Sequence, residues 1–162
     1  METRRALLVD AFASEPLSGN AAGLVPDAAG LDDEQMRSIA RELNASETAF
    51  LSPSADADRR LRYFTPSGEI DLCGHATGAP HAWLAEENRL EEGTHTLETN
   101  VGVLDVEFDD GLVWMHQDVA DVTRIDAEYD RIAAALGVDP ATLADIGADL
   151  PLATASTGLG FL

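Results

Sequence analysis

Met36, Ile39, Ala40 and Leu43 recur at i, i+3, i+4 and i+7, the spacing that gathers apolar side chains on one face of a helix. Asp32 offers an N-cap three residues before Gln35, Leu31 and Met36 stand at staple spacing, and Asn44 suits a left-handed stop, so a helix is predicted between Asp32 and Asn44. Ahead of it, the branched apolar run Ala6 to Phe12 predicts a buried strand. Pro16, Ser18, Gly19 and Asn20 then make a loop, and Ala22 to Val25 a returning strand. Behind it, Thr48 to Leu51 and Arg60 to Phe64 predict strands around a polar hairpin loop, Ser52 to Asp58. A second helix is expected from about Gly74 to Glu87, weakened by Gly78 and by Pro80, since an interior proline removes a backbone hydrogen bond and costs about 3 kcal/mol. Strands follow at Thr94 to Thr99, Val101 to Phe108 and Leu112 to His116, with turns at Asn100 and at Asp109-Asp-Gly111. Tyr129, Ile132, Ala133 and Leu136 share one face of a last helix, expected from Asp126 as cap to Gly137 as stop. The chain closes on an apolar run, Ser156 to Leu162.

Composition narrows the classes this pattern could serve. With 162 residues and 45% apolar positions, the chain can build one good core or two small lobes. No apolar run approaches the roughly 20 residues of a membrane helix, and Met1 to Arg5 leads into a strand-like segment rather than a signal peptide, so a cytoplasmic protein is expected. Thirty acidic residues face ten basic ones, all arginine, for a net charge of -20. Such a balance argues against nucleic acid and anionic membrane as partners, because a phosphate backbone is bound through clustered positive charge. Self-repulsion of this size is relieved by concentrated counterions, so a salt-rich cytoplasm is the expected setting. Circular dichroism should show structure lost at very low ionic strength; a fully folded chain there would remove the support for a halophilic reading. The single cysteine excludes an internal disulfide and a cysteine-rich zinc site. His75 and His81, six apart, do not share a helical face as an i, i+4 metal pair does, and no metal is expected.

Four stretches carry candidate chemistry: Val9 to Asn20, Asn44-Ala-Ser-Glu-Thr-Ala-Phe50, Tyr63-Phe-Thr-Pro66, and Ile70-Asp-Leu-Cys-Gly-His-Ala-Thr77. The last joins an extended run to a helix start, where free N–H groups attract a carboxylate or phosphate and glycine permits close approach. Taken singly, Ile70 to Thr77 reads equally as an ordinary strand-to-helix connection, and Glu47 as a surface glutamate in a polar loop. In this order and spacing, however, the four resemble the PhzF family of phenazine-biosynthesis-like proteins, with specific motifs over residues 7 to 104 and a looser likeness from Ile132 to Leu162.

That resemblance implies an α+β, diaminopimelate-epimerase-like lobe, a mixed and mostly antiparallel sheet wrapped around a central helix, over residues 1–120. Residues 121–162 would be the incomplete start of a second lobe, whose Asp-rich, Gly-Ser motif has no match here, so a truncated or shortened protein is expected. It implies an isomerase without a cofactor, in which Glu47 shuttles a proton between carbons of a small carboxylic acid. Gly74 and His75 match the pair that holds the substrate carboxylate, Asn20 and Ser46 match residues lining the same cleft, and family members commonly pair as homodimers. The Gly78 and Pro80 pair departs from the family pattern. Cys73 stands where racemases and epimerases of this fold carry one of two opposed thiols, and a helix start beside it would favour a thiolate. With one cysteine in the chain, Cys73 is expected to line the cleft. Two other readings stay open, a small-acid-binding lobe without turnover and an amino-acid epimerase or racemase.

Overall fold

The computed structural model describes residues 3–15, 17–116, 119–144, 152–156 and 160–161. Pro16 and much of the closing apolar run therefore lie outside the described residues. The chain forms two compact units, Met1–His116 and Gln117–Leu162.

In the first unit, strands β1 (Leu7–Ala11), β2 (Asn20–Val25), β3 (Thr48–Ser52), β4 (Arg59–Phe64), β5 (Glu69–Ile70), β6 (Gly93–Thr99), β7 (Gly102–Asp109) and β8 (Leu112–Met115) make one sheet. Their order is β1-β2-β3-β4-β6-β7-β8, with β5 on β4. Two pairings are parallel, β2 with β3 and β4 with β6, and the others are antiparallel. Helix α1 (Asp33–Leu43) begins at Asp32 with a complete capping box and ends at Asn44, whose φ of 52° is the left-handed stop its sequence calls for.

Helix α2 (Gly74–Glu86) packs against β1, β2, β3 and β8. Since β1 and β8 are the two ends of the strand order, a helix that touches both must have the sheet curled around it. This is the mixed sheet around a central helix that the α+β reading requires. Burial over much of its circumference explains why α2 shows no narrow apolar stripe: Ala76, Thr77, Ala79, Pro80, His81, Trp83 and Leu84 are all buried. The same burial lets the helix run through Pro80, because each large apolar side chain withdrawn from water contributes about 1.5–3 kcal/mol against the cost of one missing hydrogen bond.

Alternation along β3 divides the core in two. Ala49 and Leu51 face α2, in a cluster with Leu24, Leu61, Tyr63, Trp83 and Leu84. Phe50 points the other way, to Met36 and Ala40 of α1, with Phe64 edge-on at 5.4 Å. Arg62 fastens α1 to this outer face through Asp33 at 2.8 Å and Glu69 at 2.7 Å.

The second unit holds β9 (Asp121–Arg124), α3 (Tyr129–Leu136), α4 (Pro140–Ala144), β10 (Ala153–Ser156) and β11 (Gly160–Phe161). Its strands pair antiparallel in the order β11-β10-β9. Helix α3 begins at Tyr129, two residues later than expected, and Glu128 rather than Asp126 holds the cap position, without a side-chain bond. Gly137 ends it at φ 70°, as its sequence requires. Among the described residues no helix is long and apolar enough to cross a membrane.

Candidate active site

Two backbone features set the site at one end of the first unit's sheet. In the first, the parallel pairing of β2 and β3 aligns Gly23 with Thr48, and the Gly23 N–H donates to the Glu47 carbonyl at 2.9 Å. A side chain at position 23 would run into Thr48 Oγ1, so only glycine lets the strands close here. Gly23 thus holds the backbone of Glu47, a role that no local sequence signal announces.

The second feature is the start of α2. Cys73 occupies the N-cap position with extended backbone and no capping side-chain bond. Thr77 returns both its N–H, at 2.9 Å, and its hydroxyl, at 2.7 Å, to the Cys73 carbonyl. With that hydroxyl proton committed, the buried Tyr63 hydroxyl donates to Thr77 Oγ1 at 2.7 Å. Burial, foremost, pushes the Tyr63 phenol above its usual range, which keeps it a donor. The first turn of α2 is thereby pinned to β4, and the exposed Gly74 leaves that turn open.

These anchors bring three side chains from two motifs together. His75 Nε2 lies 3.3 Å from Glu47 Oε2, with the side chains 10% and 22% exposed, so the carboxylate is shielded from bulk water. The approach is close but not aligned as a hydrogen bond, and Nε2 is shielded from solvent without a hydrogen-bond partner. On the other side of the ring, Nδ1 lies 3.3 Å from Cys73 Sγ. Burial, the largest influence, pushes the Cys73 thiol up, the Glu47 charge adds to it, and the Ala76 and His75 amides pull the other way. Burial wins over the helix start, which favours the thiol over the thiolate at Cys73.

Glu47, Cys73 and His75 offer ligand atoms within 4.8 Å of one another, close enough to raise the question of a metal. The imidazole answers against a shared ion, because its two nitrogens point apart, Nδ1 toward sulfur and Nε2 toward carboxylate. What the arrangement can do is move protons: a shielded carboxylate stands beside an imidazole at a helix start whose first N–H groups lack helical partners. The other two expected residues make no hydrogen bond or ion pair with this trio. Ser46 precedes Glu47 and is exposed. Asn20 opens β2 opposite Ala11, three residues before Gly23, and is exposed as well.

Comparison with known proteins gives the chain's relatives. The family model for phenazine biosynthesis-like proteins, PhzC-PhzF, matches residues 9–162. A relative from Deinococcus radiodurans, named an uncharacterized isomerase, is 42% identical over 158 residues, covering 93% of this chain and 50% of its own. A solved phenazine biosynthesis protein of the PhzF family from Bacillus anthracis superposes with a TM-score of 0.84 at 34% identity, over 99% of this chain and 55% of that one. A hydroxyproline epimerase from Agrobacterium vitis is similar at a TM-score of 0.53 and 17% identity, over 75% of this chain and 43% of its own, a likeness that shows the fold alone. The chain spans about half the length of the curated relatives it matches.

Proposed function

The chain belongs to the PhzC-PhzF family of phenazine biosynthesis-like proteins, and from that premise we propose that it serves a cofactor-independent isomerase that moves a proton between carbons of a small carboxylic acid. The observation that carries this reading is the approach of the shielded Glu47 carboxylate to His75 Nε2 at 3.3 Å, beside the start of α2. Glu47 takes a proton from one carbon of the bound acid and becomes neutral. It then returns that proton to a second carbon as the double bond shifts, so that no proton or electron is gained or lost. The N–H groups of Gly74 and His75 hold the substrate carboxylate, with help from the partial positive charge of a helix start. Asn20 and Ser46, exposed at the same end of the sheet, are the side chains available to line the cleft.

Double-bond migration tests this directly. Incubated with a small unsaturated or hydroxy acid, the protein should shift its double bond as followed by proton NMR, with solvent deuterium entering carbon only as far as the Glu47 proton exchanges before its return, and no double-bond shift across a panel of such acids would reject the isomerase. The contact of Cys73 with His75 favours one competing reading, an epimerase or racemase that uses a thiol. The burial-raised thiol and the single cysteine weigh against it. Cys73→Ala should therefore keep turnover within about threefold, whereas a loss of about 10²-fold or more, the size of a general acid or base effect, would install the thiol as the proton carrier.

A further inference from the structure

Far from Glu47, at the other end of α2, three of the ten arginines meet around one groove. Its volume is about 560 Å³, and Arg5, Arg59 and Arg89 line it together with Trp83, Leu51 and Leu84. Counting from Gly74 to Trp83, the groove lies roughly 14 Å along the helix axis from the start of α2. Arg5 and Arg89 each stack on the Trp83 ring, both at 5.4 Å. Arg59 reaches the Arg89 carbonyl through Nη2 at 3.4 Å, while its Nη1 is shielded from solvent with no partner, and so is Trp83 Nε1.

Acidic residues stand beside these cations too: Asp27 and Asp58 also line the groove, and Glu87 is paired with Arg5 itself. Asp58 accepts from the Thr96 N–H at 2.8 Å and the Thr96 hydroxyl at 2.9 Å, bonds that hold its carboxyl below its usual range. Asp27 lies 3.7 Å from Arg4, and Glu87 pairs with Arg5 at 3.2 Å. Arg59 feels the charge of Asp58, but among the described residues neither Arg59 nor Arg89 has a carboxylate at ion-pair distance. Leaving Arg59 Nη1 shielded and unpaired is costly, and an anion in the groove would offset that cost. The end of a helix carries partial negative charge, so α2 itself gives an anion no help here. The attraction must come from the guanidiniums, whose planar forks match the paired oxygens of a carboxylate or phosphate.

The geometry points to a second binding site, for a small oxyanion of the carboxylate or phosphate type, held by Arg59 and Arg89 beside Trp83. In a chain with thirty carboxylates, a pair of arginines left without a direct ion pair is what a specific anion requires. Trp83 reports occupancy, once the other tryptophan is removed by Trp114→Phe, through its fluorescence. Inorganic phosphate and malonate are titrated separately at constant ionic strength set with potassium chloride. Saturable change with phosphate alone assigns the site to phosphoryl groups, with malonate alone to carboxylates, and with both to oxyanions at large. Arg89→Gln, at an exposed position, should weaken the anion that binds by about tenfold or more, and Arg59→Gln should do the same with the near-ultraviolet circular dichroism retained. Absence of a saturable change with either anion, or equal affinity in Arg89→Gln, overturns the proposal.

Discussion

Glu47→Gln is expected to lower turnover by about 10²–10⁴-fold, the range spanned by general acid and base groups, while the small-acid ligand still binds. Glutamine keeps the length and one carbonyl oxygen of the original side chain, so it can still stand beside His75 Nε2, 3.3 Å away in the native protein. It cannot carry a proton between two carbons. The loss should therefore fall on kcat, with the affinity for ligand changed by less than about threefold, because an interaction made only in the transition state is what has been removed. Kinetics and ligand titration on the same protein separate the alternatives. Turnover within tenfold of the unaltered chain would remove Glu47 from the chemistry. Loss of ligand binding together with turnover would make it an anchor, and binding by the unaltered chain without any turnover would favour a small-acid-binding lobe.

The sequence discloses the pieces of this site but not their meeting. Glu47 and His75 stand in separate motifs, 28 positions apart in the chain. Their approach depends on the parallel pairing that lets Gly23 hold the Glu47 backbone, and on the Tyr63 and Thr77 hydroxyls that seat the first turn of α2. Pairings of this kind are non-local, and residue spacing carries no trace of them. Helix α1 is legible in full because its caps and its stripe are local chemistry, and the structure reproduces both. Elsewhere local signals are thin. Strand β5 has two residues, too few for any period, and β9 is exposed throughout, so neither offers the alternation that announces a strand. In α2, burial over much of the helix surface erases the stripe, and the proline penalty, which is real in an isolated helix, is overridden by packing. The arginine groove is the extreme case, since Arg5, Arg59 and Arg89 are far apart in the chain and only the fold gathers them.

Acid should expose a further consequence of burying so much of α2. His81 sits within it, 1% exposed, with Nδ1–H donating to the Thr77 carbonyl at 2.7 Å. Burial, helped by the charges of Arg59 and His95 and opposed by the Thr77 bond, pushes its pKa down to about 4. The unfolded chain binds this proton near pH 6.5 and the folded chain only near pH 4, so between those values the unfolded state holds more protons. Stability from this group is thus intact above pH 6.5 and falls as the pH drops toward 4. At 1.36 kcal/mol per unit, the loss across the window comes to about 3 kcal/mol. Asparagine at this position can keep the bond to Thr77 without titrating. Urea unfolding of both proteins at several pH values, in one salt concentration, gives the contrast, and reading their difference cancels the many carboxylates that titrate below pH 5. His81→Asn should start less stable at pH 7, because the smaller side chain leaves space in the core, and then close that gap by about 3 kcal/mol as the pH reaches 4. Two curves that stay parallel across the window would show that His81 does not enter the folded state as a neutral ring.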